Sequence, residues 1–317
     1  MTDLQYKATR DGFGQGLVQA ADRNDQVVGL CADLTGSMRM RKFVKKFPNR
    51  FVQVGVAEQN LVATAAGLAL GGKIPFAASF AAFSPSRSYD QIRTTVAYSD
   101  LNVTIVGGHG GLATGEDGAT HQMLEDIAMM TALPEMVVVQ PCDAEQARQA
   151  TLALAEHTGP AYLRLSRPKV KTVSQDVSFE LGQSQILKKG TDITIFSTGI
   201  VTQQALTAAH KVESEGISVQ LINIHTLKPI DEQAILKAAR ETQAIITVED
   251  HQINGGLGST VCQVLAQNYT RNLEKPVPVK LIGVEDRFGE SGHWKKLYQK
   301  YGLSSAQIVD QIKQILS

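Results

Sequence analysis

FVQVGVAEQNLVATAAGLALG, residues Phe51–Gly71, decides the fold class. Its first six residues, Phe51–Val56, form a short β-branched run that reads as a buried strand. Gln59–Gly71 then carries apolar residues at helical spacing. The same alternation continues outward in both directions. Gln26–Leu30, Val103–Gly107, Met136–Gln140 and Ala161–Leu165 read as further buried strands. Arg10–Asp22, Ser86–Tyr98, His121–Met130 and Ala144–Glu156 read as helices between them. Strands separated by helix-length connections predict parallel pairing, because a parallel crossover needs such a connection. The expected class is α/β.

The segment 168–190 lacks sustained periodicity and reads as a linker. The alternation resumes from Thr191, with strands in Asp192–Thr198, Val219–Ile224, Ala244–Asp250 and Val279–Glu285. Helices are expected at Gln203–Glu215, Asp231–Glu241, Ser259–Gln267 and Ser304–Leu316, the last with Ser304 or Ser305 as N-cap. The chain thus divides into a first domain at 1–167, a linker at 168–190 and a second domain at 191–317.

Composition narrows the function classes. With 317 residues and 43% apolar side chains, two cores can form and intrinsic disorder is disfavoured. Lys plus Arg and Asp plus Glu each number 31, so no global basic excess supports nucleic-acid binding. No apolar run approaches a membrane span, and MTDLQYKATRDGF lacks a basic-then-apolar leader pattern. Cys31, Cys142 and Cys262 are odd in number and widely spaced, which suits neither a disulfide framework nor zinc. The expectation is a reduced, cytoplasmic protein.

Ligands of open α/β sheets sit beyond the carboxyl ends of strands. Asp33, Glu58, His109, Asp143 and Arg167 follow the five first-domain strands, which favours a site there. The sharpest cluster is His109-Gly-Gly-Leu-Ala-Thr-Gly-Glu-Asp-Gly-Ala-Thr-His121. Its histidines can exchange protons near neutral pH, and Asp117 can fix a tautomer or grip a hydroxyl. A plain glycine-rich loop, with Asp117 or Thr120 capping a helix near His121, is the competing account. Glu58 suits proton chemistry or simply the dipole of the helix it opens. Phe80 and Phe83 share a face if helical, as core or as a wall for a flat heterocycle. Arg10, Ser37 and Arg167 offer forked and hydroxyl donors to a phosphate if they converge. Arg39–Lys46 reads as a solvated basic helix face. Glu249-Asp-His251 and Asn254–Ser259 stand outside this set; Val261 replaces the third glycine of a dinucleotide fingerprint, leaving a helix entry or a contact surface.

Taken in order, these motifs resemble the C-terminal half of transketolase, a thiamine-diphosphate enzyme. The resemblance runs through ATRD (Ala8–Asp11), CADLTGS (Cys31–Ser37), GVAEQN (Gly55–Asn60) and SFAAF (Ser79–Phe83). It continues with YDQIR (Tyr89–Arg93), GEDGATHQ (Gly115–Gln122), LSRP (Leu165–Pro168) and the glycine turn at Gly255. Deoxyxylulose-phosphate synthases and 2-oxo-acid dehydrogenase β subunits share the GVAEQN-like segment, but the GEDG stretch with its histidine favours transketolase. The resemblance implies a parallel-sheet pyrimidine-binding domain followed by a transketolase C-terminal-type α/β domain. It makes Glu58 the partner of the aminopyrimidine N1′, and Phe80 and Phe83 the rings that hold that pyrimidine. Asp33 and Leu34 correspond to residues near the cofactor. Arg10, Ser37, His109 and Arg167 correspond to the sugar-phosphate contacts, Asp117 to the C2-hydroxyl contact, and His121 to a substrate contact aiding proton transfer. Ser86 stands where some members carry Tyr or Gln. The hard chemistry belongs to the cofactor, and the Gly-Asp-Gly…Asn motif that binds its diphosphate through Mg²⁺ is not in this sequence. The implied arrangement is a split transketolase: a C-terminal subunit with no metal ligand of its own, joined to a separate N-terminal subunit in an α2β2 heterotetramer acting on sugar phosphates. Equivalent subunits of the two related enzyme types, or a catalytically silent regulatory homologue, are the alternatives.

Overall fold

A computed structural model describes residues 6–174, 178–273 and 276–317. The first five residues and part of the 168–190 segment lie outside it. In chain order the strands are β1 (Tyr6–Ala8), β2 (Val27–Cys31), β3 (Phe51–Gln53), β4 (Ile74–Phe80), β5 (Thr104–Gly108), β6 (Val137–Val139) and β7 (Ala161–Arg164). They continue as β8 (Lys169–Lys171), β9 (Gln185–Lys188), β10 (Ile193–Ser197), β11 (Val219–Asn223), β12 (Thr226–Lys228), β13 (Ala244–Gln252) and β14 (Val279–Val284).

Two sheets result. The first has the order β12-β6-β7-β5-β4-β2-β3 and the second β14-β13-β10-β11-β9. All pairings are parallel except β12 with β6 and β9 with β11, both at sheet edges. A small antiparallel ribbon joins β1 to β8. β2 is buried at every residue because helices cover both faces of its sheet. On one face lie the helices Thr9–Arg23 and Ala144–Glu156, which pack so closely that a Cβ on Gly12 would sit 1.9 Å from the Ala144 carbonyl oxygen. Leu61, Val62 and Ala65 of the helix Glu58–Leu70 cover the other face together with Ala77 and Ile105. That core runs on without a break into Phe196, Ile222, Ile245 and Leu257 of the second half.

The α/β class and its parallel sheets agree with the sequence reading, and the differences are local. β4 lies inside the first sheet between β5 and β2, where the sequence pattern predicts no strand, so Phe80 ends a strand instead of sharing a helix face with Phe83. The expected helix Ser86–Tyr98 is broken into turns at Ser84–Arg87 and Tyr89–Gln91 and a wide π-type turn at Ile92–Ala97. The expected helix at His121 begins only at Asp126, so neither Asp117 nor Thr120 caps it. The 168–190 stretch carries β8 and β9, the latter an edge strand of the second sheet. Ser304 does cap Ser305–Leu316, within a capping box completed by Gln307. Among the described residues no helix is long and apolar enough to cross a membrane.

Candidate active site

The carboxyl ends of β2, β4 and β5 converge on one edge, and the backbone there is strained. Asp33, Arg39 and His109 all adopt left-handed φ, at 57°, 59° and 59°. Non-glycine residues held in this region cost on the order of 1–3 kcal/mol each and cluster at functional sites. His109 directly follows β5 and is 3% exposed. Burial, reinforced by Arg10, Arg167 and Arg39, lowers its pKa to about 3, so the imidazole is neutral near pH 7. Arg10 Nη1 lies 3.2 Å from His109 Nε2. A guanidinium only donates, so Nε2 accepts and the ring proton resides on Nδ1, which is buried and without a partner among the described residues.

On one side of His109 is a cationic cavity of about 400 Å³, lined by Arg10, Asp33, Leu34, Ser37, Arg39 and Arg41 together with Gly36. Arg10 Nη1 also donates to the Ser37 carbonyl at 3.1 Å. Arg39 is paired with Asp11 at 2.7 Å. Burial and the neighbouring Arg39 lower the Arg10 pKa to about 10, which leaves it a cation. Asp33 and Leu34, expected beside the cofactor, stand in this cavity with Arg10 and Ser37.

On the other side lies a group of rings, linked to Glu58 through Arg87. The His109 and Phe80 ring centroids are 3.8 Å apart, Phe80 and Phe83 are stacked at 5.6 Å, and His121 meets Phe83 edge-on at 5.2 Å. Glu58 opens its helix and is buried, yet its partners are distant: Ser79 Oγ at 3.5 Å and Arg87 Nη1 at 3.4 Å. A buried carboxylate so loosely held retains its capacity to accept from a ligand. Arg87 also covers the Phe83 ring at 4.3 Å. Ser86 turns away, its hydroxyl donating to the Ala82 carbonyl at 2.6 Å.

The loop from His109 to His121 spans both groups. Arg167 binds it through the Thr114 carbonyl at 2.5 Å and Glu116 at 2.9 Å, with Asp117 at 4.0 Å. Asp117 is half-exposed, and His121 Nδ1 lies 2.9 Å from the Thr120 hydroxyl. The structure therefore gathers Arg10, Asp33, Leu34 and Ser37 into one group and Glu58, Phe80, Phe83 and His121 into another, with His109 shared. Asp117 and Arg167 pair at the loop's outer side. Asp143 stands apart as a helix cap, accepting from Gln146, Val173 and Ser174. Among the described residues no group of three or more His, Cys, Asp or Glu is set to hold a metal ion. Sequence reasoning misses Arg39, Arg41 and Arg87. The first two look like one end of a basic helix, and nothing in the spacing of Arg87 points to Glu58.

Fold and site define an α/β protein of two mainly parallel sheets with an arginine-lined cavity and, on the other side of His109, a ring cluster and a buried carboxylate at its strand ends. Residues 5–172 match the transketolase pyrimidine-binding domain and residues 182–308 the transketolase C-terminal domain, so the chain belongs to the transketolase family, a family dependent on thiamine diphosphate. It is 43% identical over 97% of its length to a Methanocaldococcus jannaschii protein named provisionally as a transketolase C-terminal section, covering 96% of that protein. It is 41% identical over 96% of its length to a 6-deoxy-6-sulfo-D-fructose transketolase subunit of Clostridium sp. (strain MSTE9), covering 94% of it. A solved structure of a split gene transketolase, described as an inactive beta4 tetramer, superposes with a TM-score of 0.89 at 43% identity, covering 98% of each chain.

Proposed function

We propose that this chain is the C-terminal subunit of a split transketolase, moving a two-carbon ketol unit from a ketose phosphate to an aldose phosphate with thiamine diphosphate. The observation that carries this reading is the position of His109, in contact with Phe80 on one side and Arg10 on the other. A reaction that brings an anionic sugar to a flat heterocycle needs adjoining sites of those two kinds. The loosely held Glu58 carboxylate beside two stacked rings fits an aminopyrimidine.

Bound thiamine diphosphate supplies the nucleophilic carbon that carries the two-carbon unit. Glu58 hydrogen-bonds the pyrimidine N1′ and holds the proton there. Phe80 and Phe83 hold the ring and exclude water. Arg10, Ser37 and Arg167 bind the phosphate, with Asp33 and Leu34 walling that cavity. His109, kept neutral and accepting from Arg10 through Nε2, contacts the sugar phosphate beside that cavity. Asp117 takes the C2 hydroxyl of the acceptor, and His121 contacts substrate hydroxyls and moves a proton. The diphosphate and Mg²⁺ ligands belong to a separate N-terminal subunit, in a cytoplasmic α2β2 assembly.

Relatives of matching length support the split arrangement, since two of them are named as transketolase subunits. One is the sulfofructose enzyme; the other, at 38% identity over 95% of this chain, is an apulose-4-phosphate transketolase subunit from Phocaeicola vulgatus. The solved relative, an inactive tetramer of β chains, supports the need for a second kind of chain. The test combines this chain with an N-terminal subunit, thiamine diphosphate, Mg²⁺, a ketose phosphate and an aldose phosphate. Ketol transfer is expected with both chains and not with this one alone. Substantial turnover by this chain alone would overturn the split reading. Consumption of pyruvate in place of the ketose would move it to the related synthase or dehydrogenase chemistry.

A further inference from the structure

Glu249-Asp250-His251 closes β13 in the second sheet, and the three side chains face different structures. Glu249 turns back on its own domain, accepting from the Leu257 and Gly258 amides at 2.7 and 2.8 Å where the helix Leu257–Asn272 begins. His251 Nε2 faces the Ala128 amide at 3.5 Å. Asp250 points at the first domain's His109–His121 loop. Its Oδ1 accepts from the Leu112 amide at 2.8 Å, and its Oδ2 from the Ala113 amide at 3.2 Å and the Tyr298 hydroxyl at 2.9 Å. Arg164, 1% exposed, stands beneath and donates to the Asp250 carbonyl at 3.1 Å, the Met123 carbonyl at 2.8 Å and Asp126 at 2.7 Å.

The fit is close. Gly111 has φ +87°, and a Cβ there would lie 2.3 Å from Asp250 Oδ2. A second hold lies further along the loop. Gln122 Nε2 donates to the Leu112 carbonyl at 3.3 Å, the Gly115 carbonyl at 3.0 Å and, from the second domain, the Glu290 carbonyl at 2.9 Å. The loop carrying His109, Asp117 and His121 is thus fixed from the second domain through the buried Asp250 carboxylate and the Glu290 carbonyl. Charge-assisted bonds to backbone amides are about twice as strong as neutral ones.

We propose that Asp250 is a positioning residue for ketol transfer: it holds the Leu112 and Ala113 amides and so sets the loop that meets the sugar phosphate. This assignment rests on the transketolase reading and gives the second domain a part in substrate recognition.

The test uses the two-chain enzyme and the variants Asp250→Asn, Gly111→Ala and Tyr298→Phe. Asp250→Asn places an amide NH₂ against backbone donors, and Gly111→Ala pushes the loop off an unchanged Asp250. Both should raise the KM for the sugar phosphates about tenfold or more, the scale of a lost charged hydrogen bond. Thiamine diphosphate affinity should stay within about twofold in both. Tyr298→Phe leaves both loop bonds and should move the KM less than either. Hydrogen exchange on the full chain alone gives a readout independent of activity: the Leu112 and Ala113 amides should lose protection in Asp250→Asn while those of β5 keep it. Unchanged protection there overturns the hold itself. Lost protection with an unchanged KM and only a lower Tm overturns the positioning role. A wild-type assembly that is inert on sugar phosphates overturns the transketolase reading, and this role with it, whereas an active wild type with unaltered variants overturns this role alone.

Discussion

At the scale of single residues the site is an arrangement of controlled charge. His109 is kept neutral by burial and by cations on its flanks, while Glu58 is kept buried with weak partners only. These two environments suit the proposed roles, a neutral imidazole beside Arg10 and a loosely held carboxyl for a heterocycle nitrogen. Glu58→Gln keeps the volume and loses the acid. In the assembled enzyme it should lower ketol transfer by about 100-fold or more, the usual scale of a lost general acid–base group. Circular dichroism of the variant should match the parent, since the side chain has no short hydrogen bond to lose. Near-parental turnover would remove Glu58 from cofactor activation. Most of these residues were legible in the sequence because they follow strands, where α/β sheets place their ligands. Asp250 was legible only as part of an unexplained acidic–histidine triplet. Its partners in the loop are backbone amides more than a hundred positions earlier, and backbone amides leave no mark on a sequence.

At the scale of elements the missed strands have physical causes. β4 begins Ile-Pro-Phe and continues Ala-Ala-Ser, so it carries a proline and small residues of low strand propensity. Pro75 is tolerated at the second position of a strand that nonetheless pairs on both sides, with β2 and with β5. β12 is three residues long, and its partner β6 lies in the other domain, so no local pattern announces it. That pairing has a consequence for any attempt to separate the domains. Without β12 the edge of β6 loses its antiparallel neighbour, and the core cluster holding the fully buried Val138 loses Leu227. An open apolar strand edge is a template for aggregation. A fragment ending at residue 172 should therefore sediment as higher aggregates or fail to give a cooperative melt, while the full chain does neither. A monomeric, cooperatively melting fragment would show that the β12 edge is dispensable.

At the scale of the whole molecule, buried titratable groups couple folding to pH, and they pull in opposite directions. Burial lowers His109 to about 3 and His225 and His251 to about 4, from an ordinary value of 6.5. Below pH 6.5 the unfolded chain binds protons at these imidazoles and the folded chain does not. Their contribution is present above pH 6.5 and is lost as pH falls toward 4, at up to about 1.4 kcal/mol per pH unit for each ring. Glu249 behaves inversely. Burial raises it from 4.5 to about 8, so the folded chain keeps a proton that the unfolded chain releases. Its contribution is present below pH 4.5 and declines as pH rises to about 8; Asp250, also raised by burial, acts in the same sense. Between pH 4.5 and 6.5 the three imidazoles outweigh Glu249 and stability climbs with pH. Above 6.5 the imidazoles add nothing more and Glu249 still opposes, so stability declines gently. Denaturant unfolding across pH 4 to 9 should therefore show a maximum near pH 6.5 with the steeper limb on the acid side. His225 is remote from the site, stacked on Phe179 at 4.2 Å with its Nε2 buried and unpartnered among the described residues, so His225→Phe isolates one ring. That variant should keep the maximum and lose about one proton's worth of the acid slope. A profile flat or rising below pH 5 would mean that the buried imidazoles take up protons in the folded chain, and would also withdraw the neutral His109 whose Nε2 accepts from Arg10.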